Sequence, residues 1–301
     1  MSKDLNRRDF LTTVGKAAAA LVLPNSLSAG QTLTDKPNII IIMADDLGYG
    51  DVSCYGNKTI RTPKIDALAE GGMRFTDFHS NGPVCSPTRV ALLTGRYQQR
   101  CGVDGVFSAR AHRHTGMALE ELTFAEVLKT AGYTTALFGK WHLGYGVQFN
   151  PTKQGFDFFR GYVSGNVDYH SHIDQQGYED WWKNCQLLPE KGYSTDLIAA
   201  HGVRFIEQHR SEPFCLYLAH ESPHYPYQGR KDEADRRIGN PRPVHGSRAD
   251  KRGAYKEMIE AMDEGIGQIL AAVKRCGLER KTFIFFCSDN GATSLGSNGT
   301  L

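Results

Sequence analysis

The sequence lacks three features that would each define a class of protein. It has no charge excess, because 35 basic and 33 acidic residues leave a net charge of only +2, so we expect no nucleic-acid partner. Its seven cysteines contain no CxxC pair, which argues against a zinc ribbon and a disulfide-dense scaffold. The apolar run at residues 17–23 is too short to cross a bilayer, so no stable membrane insertion is expected.

The first thirty residues do contain the pattern of an export signal. Arg7 and Arg8 precede the apolar run, and small residues follow it at 26–29. This order is typical of a Tat-type signal peptide, which we assign to residues 1–29, with an amphipathic first helix as the alternative. The sequence therefore predicts a bacterial type of protein that is exported to the periplasm or secreted, with the Tat machinery as a partner. The folded domain is expected in residues 30–301.

The rest of the chain alternates between strand and helix patterns. Four apolar runs are typical of buried parallel strands, at residues 37–43, 133–138, 214–219 and 282–288. Five helix patterns are placed at residues 64–70, 87–94, 120–131, 195–209 and 253–275. The longest predicted loops are residues 97–118, 144–193 and 221–250. This order predicts an α/β fold in which helices flank a mostly parallel central sheet.

Carboxylate pairs follow the first and the last predicted strand. Asp45 and Asp46 come directly after the first, and Asp289 with Asn290 comes directly after the last. Both pairs then project from the carboxyl ends of strands in one open sheet, where such folds place their ligands. Three carboxylates and an amide oxygen suit Ca²⁺, or Mg²⁺ as the alternative, and not Zn²⁺. The other interpretation of each pair is turn chemistry, since Asp and Asn favour loops.

The pentapeptide Cys-Ser-Pro-Thr-Arg at residues 85–89 is placed for chemistry on an anion. Pro87 suits the first turn of a helix, so Cys85 is expected at the N-terminal end, where unpaired amides attract negative charge. Arg89 adds a permanent cation one turn later. A cysteine in that position is expected to have a lowered pKa and to act as a thiolate nucleophile. The alternative is a small buried cysteine beside an ordinary helix start.

A set of ordered motifs resembles one known family. The chain is similar to the type I sulfatases of the alkaline-phosphatase-like superfamily, from about residue 37 to its last residue. The motifs that carry this resemblance are residues 45–46 (DD), 62–69 (TPKIDALA), 72–78 (GMRFTDF), 85–89 (CSPTR), 92–96 (LLTGR), 139–144 (GKWHLG), 155–157 (GFD), 223–226 (PHYP) and 289–291 (DNG). Several motifs in the same order are far more specific than one.

The resemblance implies a modified residue at position 85. Cys85 would be converted to formylglycine by a formylglycine-generating or sulfatase-maturating enzyme. One hydroxyl of the hydrated aldehyde, on the metal and beside Asp289, would attack the sulfur of a sulfate ester to give a covalent sulfate hemiacetal. His142 would then deprotonate the second hydroxyl, so that sulfate is expelled. The metal ligands would be residue 85 with Asp45, Asp46, Asp289 and Asn290.

Further roles are carried over from the same resemblance. Arg89 and Lys140 would neutralise the sulfate oxygens, and His224 would act near the leaving oxygen as a hydrogen-bond donor or general acid. The substrate class implied is a sulfated small molecule or glycan, either sulfated carbohydrate or an aryl sulfate. A phosphonate or phosphodiester hydrolase of the same superfamily is the alternative.

The chain departs from the family pattern near its end. The resemblance implies a glycine-rich segment with a second lysine after the Asp-Asn-Gly motif, then a C-terminal subdomain with an antiparallel sheet. The sequence ends at Leu301 and has no lysine after Asn290. We therefore expect a catalytic domain without its C-terminal subdomain, with an exposed sheet edge or apolar patch. A truncated sulfatase-like protein with weak or no activity is a further alternative.

Other polar residues in the predicted loops receive structural interpretations. Asp168 and the histidines within residues 170–172 could contact a substrate sugar, but a structural role is favoured. The basic segment with Arg230, Arg236 and Arg237 could steer anionic glycans, but a solvated loop is favoured.

Overall fold

The structure, a computed structural model, describes residues 36–300 and is built on a seven-stranded sheet. The strands are β1 (Asn38–Asp45), β2 (Thr134–Lys140), β3 (Phe158–Tyr162), β4 (Trp182–Lys183), β5 (Gln186–Leu187), β6 (Phe214–Pro223) and β7 (Thr282–Ser288). Their order across the sheet is β5-β4-β3-β2-β6-β1-β7. The five longer strands are parallel, and only the short β4 and β5 pair antiparallel. The predicted mostly parallel sheet is confirmed.

Helices cover both faces of this sheet. They are α1 (Pro63–Gly71), α2 (Cys85–Thr94), α3 (Phe124–Thr130), α4 (Ser194–Gln208) and α5 (Lys251–Arg275). Successive side chains of a strand point to opposite faces. Ile40 and Ile42 of β1 therefore enter one core with α1, α4 and α5, while Met43 enters a second core with α2 and α3. The result is a three-layer α/β architecture with a separate apolar core on each side of the sheet.

Several element boundaries differ from the prediction. Strand β3 lies inside residues 144–193, which were predicted to be a loop. Helix α3 begins at Phe124 and not at residue 120, because Thr123 and Glu126 form a capping box in which each side chain accepts from the other's backbone amide. Helix α2 begins at Cys85 itself, two residues before the predicted start. The motif cysteine is thus the first residue of the helix.

The two ends of the domain bear on other expectations. The predicted signal peptide, residues 1–29, lies outside the described residues. Within residues 36–300, no helix is both long and apolar enough to cross a membrane. Strand β7 is an edge of the sheet, and Phe283 and Phe285 on it are 59% and 52% exposed. An exposed edge with apolar side chains is therefore present, as the sequence predicts.

Candidate active site

The carboxyl ends of β1 and β7 lie side by side and bring the two acidic motifs together. Ala44 pairs with Ser288, and the Asp289 amide donates to the Ala44 carbonyl at 3.1 Å. The Asp46 amide donates to Asp289 Oδ1 at 3.3 Å, and Asn290 Nδ2 donates to Asp46 Oδ1 at 2.7 Å. Asp46 has a φ of 61°, an uncommon conformation for a residue with a Cβ and one found often at functional sites. Parallel pairing alone therefore produces the convergence that the sequence predicts.

Helix α2 delivers Cys85 to this cluster. Its Sγ lies 3.4 Å from Asp45 Oδ1 as a hydrogen-bond donor, and the side chain is buried. The next residue fixes the helix start, because Ser86 Oγ donates to the His142 carbonyl at 2.9 Å and accepts from the Phe107 amide at 3.1 Å. Ser86 was not singled out from the sequence, although its place inside the pentapeptide is a signal that could have found it. It joins three segments of the site.

The thiol of Cys85 does not have the electrostatics predicted for it. Burial raises its pKa well above the ordinary value, the Asp45 carboxylate raises it further, and Lys140 opposes this only in part. The prediction of a lowered pKa and a thiolate nucleophile is wrong, because desolvation and adjacent carboxylates outweigh the helix terminus. Cys85 is a protonated thiol that donates to a carboxylate.

Two buried cations face the carboxylates. Arg89 of α2 pairs with Asp289 at 2.8 Å and lies 3.9 Å from Asp45 Oδ2, and Lys140 at the end of β2 forms an ion pair with the same Asp45 oxygen. Burial lowers the pKa of Lys140, but Asp45 more than reverses this, so the amine stays charged. Burial and Asp45 raise the pKa of Asp289 to about 6. Three carboxylates with Asp46 against two cations leave one formal negative charge, which a divalent ion would reverse.

The two motif histidines are held by carbonyl groups, which fixes their neutral tautomers. A carbonyl can only accept, so His142 Nε2 donates to Phe107 O at 3.0 Å and its Nδ1 keeps the lone pair. That Nδ1 is buried with no hydrogen-bond partner among the described residues. Burial, then Lys140 and Arg89, hold the pKa of His142 well below its ordinary value. His142 is therefore a neutral base with one vacant acceptor.

His224 lies on the other side of the cluster. Its Nδ1 donates to the Tyr225 carbonyl at 2.6 Å, which leaves Nε2 facing Asp46 Oδ2 at 3.7 Å. Potential ligand atoms of Asp45, Asp46, Cys85 and His224 all lie within 4.8 Å of one another. His224 Nε2 therefore lies at the edge of the acidic cluster, close to the predicted ligands Asp45, Asp46 and residue 85.

The remaining predicted ligands lie at the edge of that group. Asp289 has its two oxygens on Arg89 and on the Asp46 amide, as described above. Asn290 Oδ1 is buried and accepts no hydrogen bond from the described residues, while its amide nitrogen holds Asp46. A buried oxygen without a donor is costly unless a cation or water meets it. The donor set therefore fits a divalent cation.

Glu221, in the buried strand β6, was not identified from the sequence. Its side chain is fully buried, Oε1 accepts from the Val167 amide at 2.8 Å, and Oε2 has no partner among the described residues. Its carbonyl accepts from the His224 amide at 2.8 Å. Burial raises the pKa of Glu221 well above its ordinary value. A carboxyl close to the carboxyl end of a buried strand, as with Asp45, is the signal that could have identified it.

The polar loops behave partly as expected. Asp168 is fully buried and accepts hydrogen bonds from five N–H groups, which is a structural role. His172 is stacked on Trp181 with ring centroids 4.2 Å apart. Arg236 is buried and donates to two backbone carbonyls, so the expectation of a solvated side chain is wrong for it. Its charge is surrounded by the loop that it holds together.

Comparison with known proteins gives a consistent result. The family model Sulfatase matches residues 37–301. N-acetylgalactosamine-6-sulfatase of Rattus norvegicus is 34% identical over 87% of this chain and 52% of that protein, and arylsulfatase A of Homo sapiens is 34% identical over 90% and 55%. The crystal structure of Ps i-CgsB has a TM-score of 0.77 and 35% identity, covering 88% of this chain and 61% of that chain. The chain spans about half the length of the curated relatives it matches.

Proposed function

This chain belongs to the sulfatase family and has its alkaline-phosphatase-like fold, and we propose that it carries the reaction centre of an enzyme that hydrolyses sulfate esters. One observation carries the proposal: Cys85 begins a helix inside a cluster of acidic ligand atoms, with two buried cations alongside. A sulfate monoester is a small anion that needs fixed positive charge around its oxygens. Arg89 and Lys140 offer that charge without reorganisation, because their own ion pairs hold them in place.

We propose that residue 85 acts as formylglycine and that Cys85 is its precursor. The raised pKa of the thiol supports this, because a protonated, buried thiol is a poor nucleophile at neutral pH. The modified residue would supply a hydroxyl nucleophile in its hydrated form. A formylglycine-generating or sulfatase-maturating enzyme would be the partner that acts on the segment around residues 85–89.

The cation proposed for the centre is Ca²⁺, with Mg²⁺ as the alternative. Asp45, Asp46, Asp289 and Asn290 would hold it together with residue 85, and the unpartnered Asn290 Oδ1 supports this set. When bound, the ion would supply positive charge for the substrate oxygens. Oxygen donors of this kind match the preferences of both hard cations.

The two histidines would handle protons at stated atoms. His142 Nδ1 is the nitrogen left free to accept a proton from residue 85, since Nε2 is committed to a carbonyl. Neutrality at ordinary pH, which its lowered pKa ensures, is what a base requires. His224 would act near the leaving oxygen through Nε2, because its Nδ1 is committed to the Tyr225 carbonyl.

The substrate class proposed is a sulfated glycan or a smaller sulfate ester. The N-acetylgalactosamine-6-sulfatase relatives are named for a sulfated amino sugar. A structure of Ps i-CgsB, 34% identical to this chain, is of a complex with k-i-k-neocarrahexaose. Both names support a saccharide as the carrier of the sulfate.

Turnover of 4-nitrophenyl sulfate against 4-nitrophenyl phosphate tests the reaction class. The full chain, produced with a maturating enzyme, is expected to favour the sulfate, and removal of divalent ions with EDTA is expected to abolish turnover. Activity on phosphate alone would support the phosphonate or phosphodiester alternative. Absence of activity on either ester with residue 85 modified and Ca²⁺ present would contradict the proposal.

We also propose export through the Tat pathway to the periplasm. The support is the order of paired arginines, apolar run and small residues in the first thirty positions. Replacement of Arg7 and Arg8 together by lysine is expected to retain the protein in the cytoplasm, as measured by cell fractionation and immunoblotting. Unchanged export of this double variant would rule out a Tat signal.

A further inference from the structure

A row of three neighbouring rings, the first pair stacked and the second pair tilted, leads from the reaction centre to the protein surface. His224 stacks on Tyr225 with ring centroids 4.2 Å apart and planes 29° from parallel. Tyr225 in turn meets His245 at 4.5 Å with an interplanar angle of 51°. His224 is 8% exposed, Tyr225 is half-buried and His245 is exposed. The row, which we call the aromatic row, therefore begins beside Asp46 and ends in solvent.

The outer part of the row is held rigidly. The backbone carbonyl of His245 accepts from the Tyr227 amide at 3.2 Å and from Lys251 Nζ at 2.9 Å. Gln175, from a different loop, donates through Nε2 to the Tyr225 hydroxyl at 3.2 Å. An exposed ring on a fixed backbone loses little freedom when a ligand packs on it. This arrangement is suited to binding.

Uncommitted positive charge lies in the same loop. Arg237 and Arg242 are exposed, and neither side chain forms an ion pair within residues 36–300. By contrast, Arg230 is paired with Asp196 and Glu264, and Arg248 is paired with Glu257. The loop thus carries two exposed cations before the end of the aromatic row, Arg242 three residues and Arg237 eight residues ahead of His245.

We propose that Tyr225, His245, Gln175, Arg237 and Arg242 form a saccharide subsite that binds the sugar rings next to the scissile sulfate in a sulfated oligosaccharide. This rests on the proposed sulfatase function. A hexose presents an apolar face of C–H groups that packs on an aromatic ring, and its hydroxyls reach polar groups at the ring edge. Here those groups are the Gln175 amide and the Tyr225 hydroxyl. The arginines match additional sulfate groups along the chain.

A purely apolar leaving group fits this surface less well. It would remove the Gln175 amide and the Tyr225 hydroxyl from water without offering hydrogen bonds in return, which costs free energy. It would also offer no negative charge to the side chains of Arg237 and Arg242. The saccharide is therefore the occupant that satisfies every group on the surface, and a hydrophobic aryl ester is an outcome for the experiment to exclude.

The test compares saccharide binding with turnover of a small ester. The variants are His245→Ala and the double variant Arg237→Ala/Arg242→Ala, with Arg210→Ala as control, because Arg210 is an exposed arginine between α4 and β6, at the opposite end of the strands. Binding of k-i-k-neocarrahexaose and of a chondroitin 6-sulfate hexasaccharide is measured by titration calorimetry. Turnover of 4-nitrophenyl sulfate, which carries no sugar ring and no second sulfate group, is measured in parallel.

We expect at least one saccharide to bind the wild-type protein and its Kd to rise by about five- to tenfold in both variants, in line with about 1 kcal/mol for a ring contact. The kcat/KM for 4-nitrophenyl sulfate should stay within about twofold, and Arg210→Ala should change neither quantity. Saccharide binding without turnover would refute the sulfatase function and keep the subsite. Turnover without binding of either saccharide, unchanged Kd in the variants, or equal loss on both probes would overturn the subsite.

Discussion

Two sites with buried carboxylates in this molecule are built in opposite ways. One contains Asp168, and the other contains Asp45, Asp46 and Asp289. Asp168 accepts from the amides of His170 and Ser171 on one oxygen and from the amides of Asp235 and Arg236 and the side chain of Gln228 on the other. Burial raises its pKa, but these hydrogen bonds outweigh burial and the net shift is downward. Asp168 is thus satisfied by neutral donors that belong to the fold.

The carboxylates after β1 and β7 face one another instead. Asp45 and Asp289 share Arg89, and their mutual repulsion together with burial raises the pKa of Asp289 to about 6. Asn290 Oδ1 has no donor within the described residues. A carboxylate that the fold satisfies stabilises the fold, whereas a cluster that the fold leaves short of positive charge is suited to bind a cation and an anionic substrate.

The largest expected effect is on turnover, and it comes from a substitution beside Asp45 and Asp289. Cys85→Ala is expected to reduce turnover of 4-nitrophenyl sulfate by on the order of 10⁴-fold or more, as loss of a nucleophile does. Thermal stability should change little, because the thiol makes one hydrogen bond, to Asp45. Cys101→Ala serves as a matched control, because Cys101 is also buried and its Sγ makes one hydrogen bond, with Thr94 Oγ1. Activity of Cys85→Ala within tenfold of wild type would remove residue 85 from the chemistry.

A substitution at Asp168 should lower the stability of the fold and leave the catalytic rate unchanged. Asp168→Asn places an amide where five N–H donors converge, and we expect the free energy of unfolding to fall by about 3 kcal/mol. Urea denaturation measures this, and the folded fraction should retain its kcat. Asp46→Asn, matched in shape, should cost less than about 1 kcal/mol and lose activity. If Asp168→Asn and Asp46→Asn lose the same amount of stability and the same amount of activity, the contrast between the two sites is wrong.

Binding of a cation should also distinguish the site of Asp46 from the site of Asp168. An ion that binds only the folded state stabilises it by about 2.7 kcal/mol at 100 times its Kd, so Ca²⁺ should raise the melting temperature by several degrees. The rise should persist in Asp168→Asn and vanish in Asp46→Asn. Differential scanning fluorimetry with Ca²⁺, Mg²⁺ and EDTA records it. An equal rise in all three proteins would mean that the ion binds elsewhere.

A smaller effect comes from a buried histidine that no donor or acceptor compensates. Burial lowers the pKa of His220 to about 4, and its Nδ1 has no partner among the described residues. The unfolded chain therefore binds the extra proton below pH 6.5 and the folded protein does not, so stability falls as the pH drops from 6.5 toward 4. Between pH 7 and 5.5 this amounts to about 1 kcal/mol. His220→Asn should remove that part of the pH dependence in urea denaturation.

The sequence was sufficient for the framework of the site. Buried β-branched runs predicted the parallel strands, and residues at the carboxyl ends of such strands must meet at one edge of the sheet. That argument located Asp45 and Asp289 together, although they are 244 positions apart in the sequence. The helix start at Cys85 followed from Pro87 alone to within two residues. Rules on local sequence were sufficient for the strand positions and the helix start, which the course of the backbone determines.

Long-range packing decided what could not be predicted. The pKa of Cys85 depends on Asp45, forty residues away, and on burial that no local pattern reveals. Strand β3 contains Arg160, a charged residue that is unusual in a buried strand. Its guanidinium pairs with the Glu190 carboxylate at 2.7 Å. Arg236 is charged and in a loop, yet it is buried and donates to the Ile173 carbonyl, 63 residues away, as well as to the Val244 carbonyl of its own loop. In each case a partner is distant in sequence, so only the folded structure shows the pairing.

The mass of the peptide that contains residue 85 tests the central claim most directly. In protein from the native host, or produced with a maturating enzyme, that peptide is predicted to be about 18 Da lighter than its sequence mass, because an aldehyde oxygen replaces the SH group and one hydrogen of Cβ. Partial conversion would appear as two peaks, with turnover proportional to the lighter one. An unmodified thiol in protein that hydrolyses sulfate esters would contradict the account.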